Sequence, residues 1–211
     1  MLDVSEARVG VIGGSGLYAM PGLDQAEELR LDTPFGQPSD VLRLGKLQGM
    51  ETVFLARHGR HHQLLPREVP YQANNWAMRQ LNVRWLISVS AVGSLQDHLR
   101  PRDMVVPDQF IDRTQQRPQS FFGDGCVAHV SLADPFCSRL SELLAEAAES
   151  AMPAGQHLHR GGTYLCMEGP AFSTLSLIHI SEPTRQAELA DGLVGVKKKE
   201  GGGGGGGGGG G

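Results

Sequence analysis

The sequence predicts an α/β domain with a mixed central β-sheet flanked by helices. Two observations support this class. Short apolar runs end in glycine or small residues, as buried strands do, and stretches with helical apolar rhythm alternate with them. The chain has 211 residues, which is enough for one ordinary globular domain.

The first half of the chain contains most of the predicted strands. The run RVGVI at 8–12 predicts a buried strand, and the runs at 40–47 and 50–56 predict a β-hairpin because only Gln48 and Gly49 separate them. An apolar rhythm over 71–81 predicts a helix, and RWLISVS at 84–90 predicts another strand.

The second half predicts fewer elements. Residues 103–113 are expected to form one strand, bent at Pro107. Asp134 and Pro135 are expected to open a helix, with the acid as N-cap and the proline at the first helical position. The run GGTYLCMEG at 161–169 predicts one more strand and turn.

Composition divides the chain at residue 174. Residues 175–211 contain 11 of the 29 glycines as one unbroken run, and three of the four lysines as another. We therefore expect residues 1–174 to form the domain and residues 175–211 to be a non-native tail. The segment LSLIHISEPTR resembles a translated sequencing adapter, and poly-glycine follows it.

Charge and cysteine usage exclude several functions. The formal net charge is −4, which gives no support for nucleic-acid or anionic-membrane binding. The sequence has no apolar run of membrane-spanning length, and early charges argue against a signal peptide. Cys126, Cys137 and Cys166 form no CxxC pair, so reduced thiols in the cytoplasm are expected.

The glycine-rich stretch GVIGGSGLYAMPG follows the first predicted strand. Glycines let backbone amides approach an anion, and the Ser15 hydroxyl adds a donor. The stretch also fits the GxGxxA pattern of an NAD-binding oxidoreductase, but that pattern needs a helix directly afterwards, and Pro21 and Gly22 oppose one. A tight turn, a phosphate loop and a dinucleotide loop remain open.

Two further strand ends carry polar side chains. LARHGRHH places Arg57 and His58 after a strand, where arginine suits phosphate or carboxylate; a solvated basic loop and a zinc site are the alternatives. SVSAVGSL places Ser90 and Ala91 after the next strand. Because such ends meet at one edge of a sheet, Ser15, Arg57 and Ser90 together suggest one phosphate site.

The motifs taken together resemble those of the 5′-methylthioadenosine phosphorylases, within the purine nucleoside phosphorylase superfamily. The resemblance spans residues 9–174 and rests, in order, on GVIGGSGL, DTPFGQPSD, LARHGRHH, YQANNWA, SAVGSL, DQFIDRTQQRPQSFF, ADPFC and MEGPAFST. It implies a pentosyltransferase of purine and methionine salvage. Phosphate would attack the anomeric carbon of 5′-methylthioadenosine and release adenine, with no cofactor and no metal.

The resemblance also implies roles for residues. The positions that match phosphate contacts are Ser15, Arg57, His58, Ser90 and Ala91. Phe172 matches an aromatic that packs on the base, Ser173 a position tied to substrate preference, and His129 a residue that reaches a neighbouring subunit in a homotrimer.

The resemblance stops at Thr174. The family continues into a Thr-Asp-x-Asp motif, whose aspartate manages the proton of the leaving base, and this chain has no similar motif. We therefore expect a fold that is incomplete at its C-terminus and a 211-residue chain with little or no activity. The alternatives are a general purine nucleoside phosphorylase and, more distantly, an NAD-binding oxidoreductase.

Overall fold

The computed structural model of the protein describes residues 8–14, 16–169 and 186–189. Its strands are β1 (Arg8–Gly13), β2 (Leu23–Leu29), β3 (Leu42–Leu47), β4 (Met50–Ala56), β5 (Val83–Val89), β6 (Met104–Val106), β7 (Gln109–Arg113), β8 (Leu158–Arg160), β9 (Thr163–Met167) and β10 (Gln186–Leu189). Its helices are α1 (Tyr71–Gln80) and α2 (Ser138–Ala151), with a short 3₁₀ turn at Pro66–Glu68.

The central sheet has five strands in the order β2-β3-β4-β1-β5. β1 runs parallel to β4 and β5, whereas β2, β3 and β4 are antiparallel neighbours, so the predicted mixed sheet is confirmed. The predicted hairpin joins β3 to β4, and Gln48 and Gly49 both have positive φ at its turn. Two positive φ angles are typical of the turn that matches the twist of paired strands.

One hydrophobic core cluster lies where α1 packs on the sheet. Val53 and Leu55 of β4 are fully buried, and Ala77 and Met78 of α1 belong to the same cluster. A Cβ built on Gly10 of β1 would approach the Met78 sulfur at 3.1 Å, so glycine permits this close contact between helix and strand. Burying each large aliphatic side chain contributes about 1.5–3 kcal/mol.

Residues 103–113 do not form a single bent strand as predicted. Pro107 separates β6, which pairs with β8, from β7, which pairs with β9 in another sheet. Proline has no N–H to continue a ladder, and beyond it the Gln109 amide bonds to the Gly162 carbonyl at 3.3 Å. The chain therefore passes from one sheet to another at Pro107 instead of continuing as one bent strand.

The prediction for the start of α2 is wrong by about one turn. The helix begins at Ser138, and its first backbone bond runs from the Ser141 amide to the Cys137 carbonyl at 2.9 Å. Asp134 is not its N-cap. The Phe136 ring packs edge-on against Phe110 with 6.2 Å between centroids, and this contact holds the preceding residues against β7 instead of in the helix.

Within the described residues, neither helix has the length and apolar character needed to cross a bilayer. The parallel strands β1, β4 and β5 all end at the same edge of the central sheet. That edge carries the side chains considered next.

Candidate functional site

Three loops leave the central sheet at the carboxyl ends of β1, β4 and β5, and backbone bonds hold them together. The Arg57 amide donates to the Gly13 carbonyl at 2.9 Å, and the Gly14 amide donates to the Val89 carbonyl at 2.6 Å. The parallel ladder thus continues for one residue beyond β4 and for one residue beyond β1. Ligands of α/β sheets bind at such an edge.

Arg57 and Ser90 meet at this edge. The Nη2 of Arg57 donates a hydrogen bond to the Ser90 Oγ at 2.6 Å, and both residues are buried. The two segments are far apart in sequence, so their meeting confirms the inference that neighbouring strand ends converge. A buried guanidinium beside a hydroxyl favours an anionic ligand, because burial strengthens the attraction between charges.

Gly14 borders the same two side chains. A Cβ at Gly14 would overlap the Ser90 Oγ and the Arg57 Nη2 and would lie 2.8 Å from the Val89 carbonyl oxygen. Only glycine, which has no side chain, therefore fits at this position. Ser15, the next residue, lies outside the described residues, so its predicted phosphate contact stays a prediction.

His58 is buried beside Arg57. Its Nδ1 lies 2.9 Å from the Leu64 carbonyl oxygen, and its Nε2 lies 3.4 Å from the Arg57 Nε. No group of His, Cys, Asp or Glu side chains in the described part of the chain is arranged to hold a metal ion. The ring contacts of His58 connect it to Arg57, and its predicted phosphate contact stays a prediction.

Sequence reasoning missed a second contact at this edge. The Tyr18 hydroxyl lies 2.9 Å from the Nδ1 of His62, and the rings of His58 and His62 lie 4.8 Å apart at 34°. Tyr18 belongs to the glycine-rich stretch and His62 to the histidine-rich one. Only the fold brings these two motifs together.

The glycine-rich stretch leads into turns. Residues 16–22 form turns and bends, and β2 begins directly afterwards at Leu23. The helix that an NAD-binding loop needs is not present in these described residues. The structure therefore argues against the oxidoreductase alternative.

No contact among the described residues joins the other predicted site residues to Arg57. Ala91 is exposed, directly after Ser90. His129 lies in a stretch from 121 to 134 in which every residue is exposed. Phe172 and Ser173 lie outside the described residues, so the base-contacting roles stay predictions.

A polar clamp lies at the end of β9, just before those residues. Glu168 accepts hydrogen bonds from the amides of Gln115 at 2.5 Å and Gln116 at 3.0 Å, and it forms an ion pair with Arg117 at 3.5 Å. The Arg117 guanidinium lies over the Tyr71 ring at 4.7 Å. The hydrogen bonds from the two backbone amides lower the pKa of Glu168, although burial by itself would raise it.

The fold and site define a class: an α/β domain with a buried arginine–serine pair at the carboxyl edge of a mixed sheet. Comparison with known proteins then gives the family. The family model described as "Phosphorylase superfamily" matches residues 8–193. The chain belongs to the phosphorylase superfamily, as its motifs predicted.

Curated relatives are similar in sequence over most of this chain. It is 64% identical over 171 residues to the S-methyl-5′-thioadenosine phosphorylase of Prochlorococcus marinus, covering 81% of this chain and 54% of that protein. It is 58% identical over 170 residues to that of Thermosynechococcus vestitus, covering 81% and 59%. The chain thus spans little more than half the length of these relatives.

Solved structures agree with the fold. A methylthioadenosine phosphorylase from an antarctic soil metagenomic library has a TM-score of 0.82 at 46% identity, covering 91% of this chain and 65% of that one. The enzyme of Schistosoma mansoni in complex with adenine also has a TM-score of 0.82, at 32% identity, covering 91% and 73%. The predicted phosphorylase fold is confirmed.

Proposed function

We propose that the complete protein catalyses phosphorolysis of 5′-methylthioadenosine to adenine and 5-methylthioribose 1-phosphate. The observation that carries this proposal is the buried Arg57–Ser90 pair at the carboxyl edge of the sheet. It occurs in a chain 64% identical to an S-methyl-5′-thioadenosine phosphorylase. The protein would thereby act as a pentosyltransferase in purine and methionine salvage.

In this reaction the nucleophile is inorganic phosphate, so the protein supplies position and charge. Arg57 and Ser90 would hold the phosphate oxygens, together with the Ser15 hydroxyl and the chain at Ala91, and His58 would line the site beside Arg57. Holding phosphate in line with the anomeric carbon removes much of the entropic barrier to the reaction. Fixed positive charge stabilises the transition state. No metal, cofactor or covalent intermediate is required.

The nucleoside would lie on the β9 side of the phosphate. Phe172 would pack on the purine, and Ser173 would contribute to the preference for the methylthio substrate. Proton transfer to the leaving adenine would fall to an aspartate of a Thr-Asp-x-Asp motif that this sequence does not contain. We propose that residues 175–211 stand in place of that part and that the 211-residue chain is inactive or nearly so.

We further propose that the complete protein is a homotrimer in the cytoplasm, with His129 reaching a neighbouring subunit. The stretch around His129 supports an interface, because several large apolar side chains are exposed there: Phe121, Phe122, Val127, Val130 and Leu132. Multi-angle light scattering of the complete protein checks this assembly. A monomer at micromolar concentration would contradict it.

Resequencing the source DNA through codon 174 and assaying the two products tests the activity. We expect the extended gene to give phosphate-dependent release of adenine from 5′-methylthioadenosine, and the 211-residue chain to give none. The matched control is Arg57→Ala in the extended protein, which should lose about 100-fold or more in kcat/KM. Faster turnover of inosine would indicate a general purine nucleoside phosphorylase, and no phosphorolysis of either nucleoside would overturn the proposal.

A further inference from the structure

The hydrogen bonds of His58 determine which of its ring nitrogens carries the proton. A carbonyl oxygen can only accept, so the 2.9 Å contact with the Leu64 carbonyl requires a hydrogen on Nδ1. The Arg57 Nε always carries a hydrogen, so the 3.4 Å contact with Nε2 requires a lone pair on Nε2. Both contacts are satisfied together only by the neutral imidazole with its proton on Nδ1.

We propose that His58 is a positioning residue that acts as a neutral acceptor for Arg57 and is not a cationic phosphate ligand. Its ring joins the Leu64 carbonyl to the Arg57 Nε, while Ser90 accepts from the Nη2 of the same guanidinium. Both contacts restrain the orientation of the Arg57 guanidinium. The inference rests on the anion site of the proposed function, and it assigns His58 a role there that charge alone does not suggest.

Arg57 from the end of β4 and His62 from the turn that follows it both contact the His58 ring. The Arg57 Nε donates, so it needs an acceptor, and the lone pair on the His58 Nε2 supplies one. A ligand role for a cationic His58 makes the opposite prediction, because that ring would carry hydrogens on both nitrogens and offer Arg57 no lone pair.

The first test is the tautomer itself. The whole 211-residue chain is labelled with ¹⁵N-histidine, and long-range proton–nitrogen correlation spectra identify the protonated ring nitrogen of each of the 8 histidines. The His58 signals are assigned by their loss in His58→Gln. We expect the neutral ring with its proton on Nδ1 at neutral pH. A proton on Nε2, or on both nitrogens, overturns the inference.

The second test is anion affinity, measured by calorimetry with sulfate. Glutamine has a donor for Leu64 and an acceptor for Arg57, as the neutral histidine has. We expect His58→Gln to bind sulfate within about twofold of the unmodified chain. His58→Leu, which has neither group, should bind about fivefold more weakly.

The matched control is His61→Gln, the same substitution at an exposed residue of the same turn, which should bind sulfate as the unmodified chain does. Unchanged binding by His58→Leu, or a loss in His58→Gln as large as the loss in His58→Leu, overturns the positioning role and leaves the anion site intact. Sulfate that does not bind the unmodified chain overturns the anion site and this inference with it. The phosphorolysis assay on the extended protein distinguishes the two failures.

Discussion

Asp103 and His159 join the turn before β6 to strand β8 through a 2.9 Å hydrogen bond between the Asp103 Oδ2 and the His159 Nε2. Asp103 is almost completely buried and also accepts hydrogen bonds from the amides of Arg100 and His157. Burial by itself raises the pKa of this carboxyl, but the His159 side chain and the two amides outweigh burial and lower it. Asp103 is therefore held as a carboxylate.

Asp103→Asn should lower the free energy of unfolding at neutral pH by about 2 kcal/mol, because buried donors lose a charged acceptor. A lowered pKa contributes stability above the ordinary aspartate value of about 3.9, and this stability is lost as pH falls through the folded-state pKa. The difference between variant and unmodified chain should therefore shrink in acid. Urea titrations at about pH 7 and pH 3 measure it. Exposed Asp97→Asn is the control, and a difference that does not change with pH would contradict the assignment.

Gly14→Ala should abolish measurable binding of phosphate to the chain. The added methyl group would overlap the Ser90 Oγ and the Arg57 Nη2, so the two side chains could not keep their contact. We expect destabilisation of about 1–3 kcal/mol as well, as in other overpacked sites. Phosphate titration by calorimetry checks the first effect and thermal melting the second. At Gly123 an added Cβ meets nothing within 4 Å, so Gly123→Ala is the matched control. Unchanged phosphate binding by Gly14→Ala would show that the edge relaxes around the methyl group.

Glu168→Gln should loosen the segment that follows β7. The amides of Gln116 and Gln115 donate to the Glu168 carboxylate and lower its pKa, so this stabilisation is present at neutral pH and fades as pH falls through the lowered value. The neutral variant should lose about 1–2 kcal/mol of unfolding free energy. Hydrogen exchange at the Gln115 and Gln116 amides should become faster. Glu27→Gln, on an exposed part of β2, should leave both amides unchanged, and equal protection in Glu168→Gln would refute the clamp.

Deleting residues 175–211 should leave the melting temperature within about 2 °C of the full chain, if this tail is foreign to the domain. The structure pairs Gln186–Leu189 with β9 as a parallel strand, so the experiment decides whether that pairing adds stability. Deleting only the glycine run 201–211 is the control. A fall of more than about 4 °C that occurs only in the longer deletion would show that the strand belongs to the domain.

Local patterns in the sequence predicted the elements whose signals are local. The β3–β4 hairpin follows from Gln48 and Gly49 between two apolar runs, and α1 follows from its apolar rhythm. The family follows from long, specific motifs. Errors arose at Pro107 and Asp134, where a contact with a distant segment overrode the local preference. The Phe110–Phe136 packing, for example, delays the start of α2.

For this protein the sequence by itself determined the α/β class, the phosphorylase family and the residue types at the carboxyl edge of the sheet. Only the tertiary structure decided that the Arg57 Nη2 meets the Ser90 Oγ, that Gly14 must lack a side chain there, and that the His58 Nδ1 faces the Leu64 carbonyl. The physical reason is that such contacts depend on which strands are neighbours. The residue types at a strand end can be read from the local sequence. Which other strand ends they meet is set by the order β4-β1-β5 in the folded sheet.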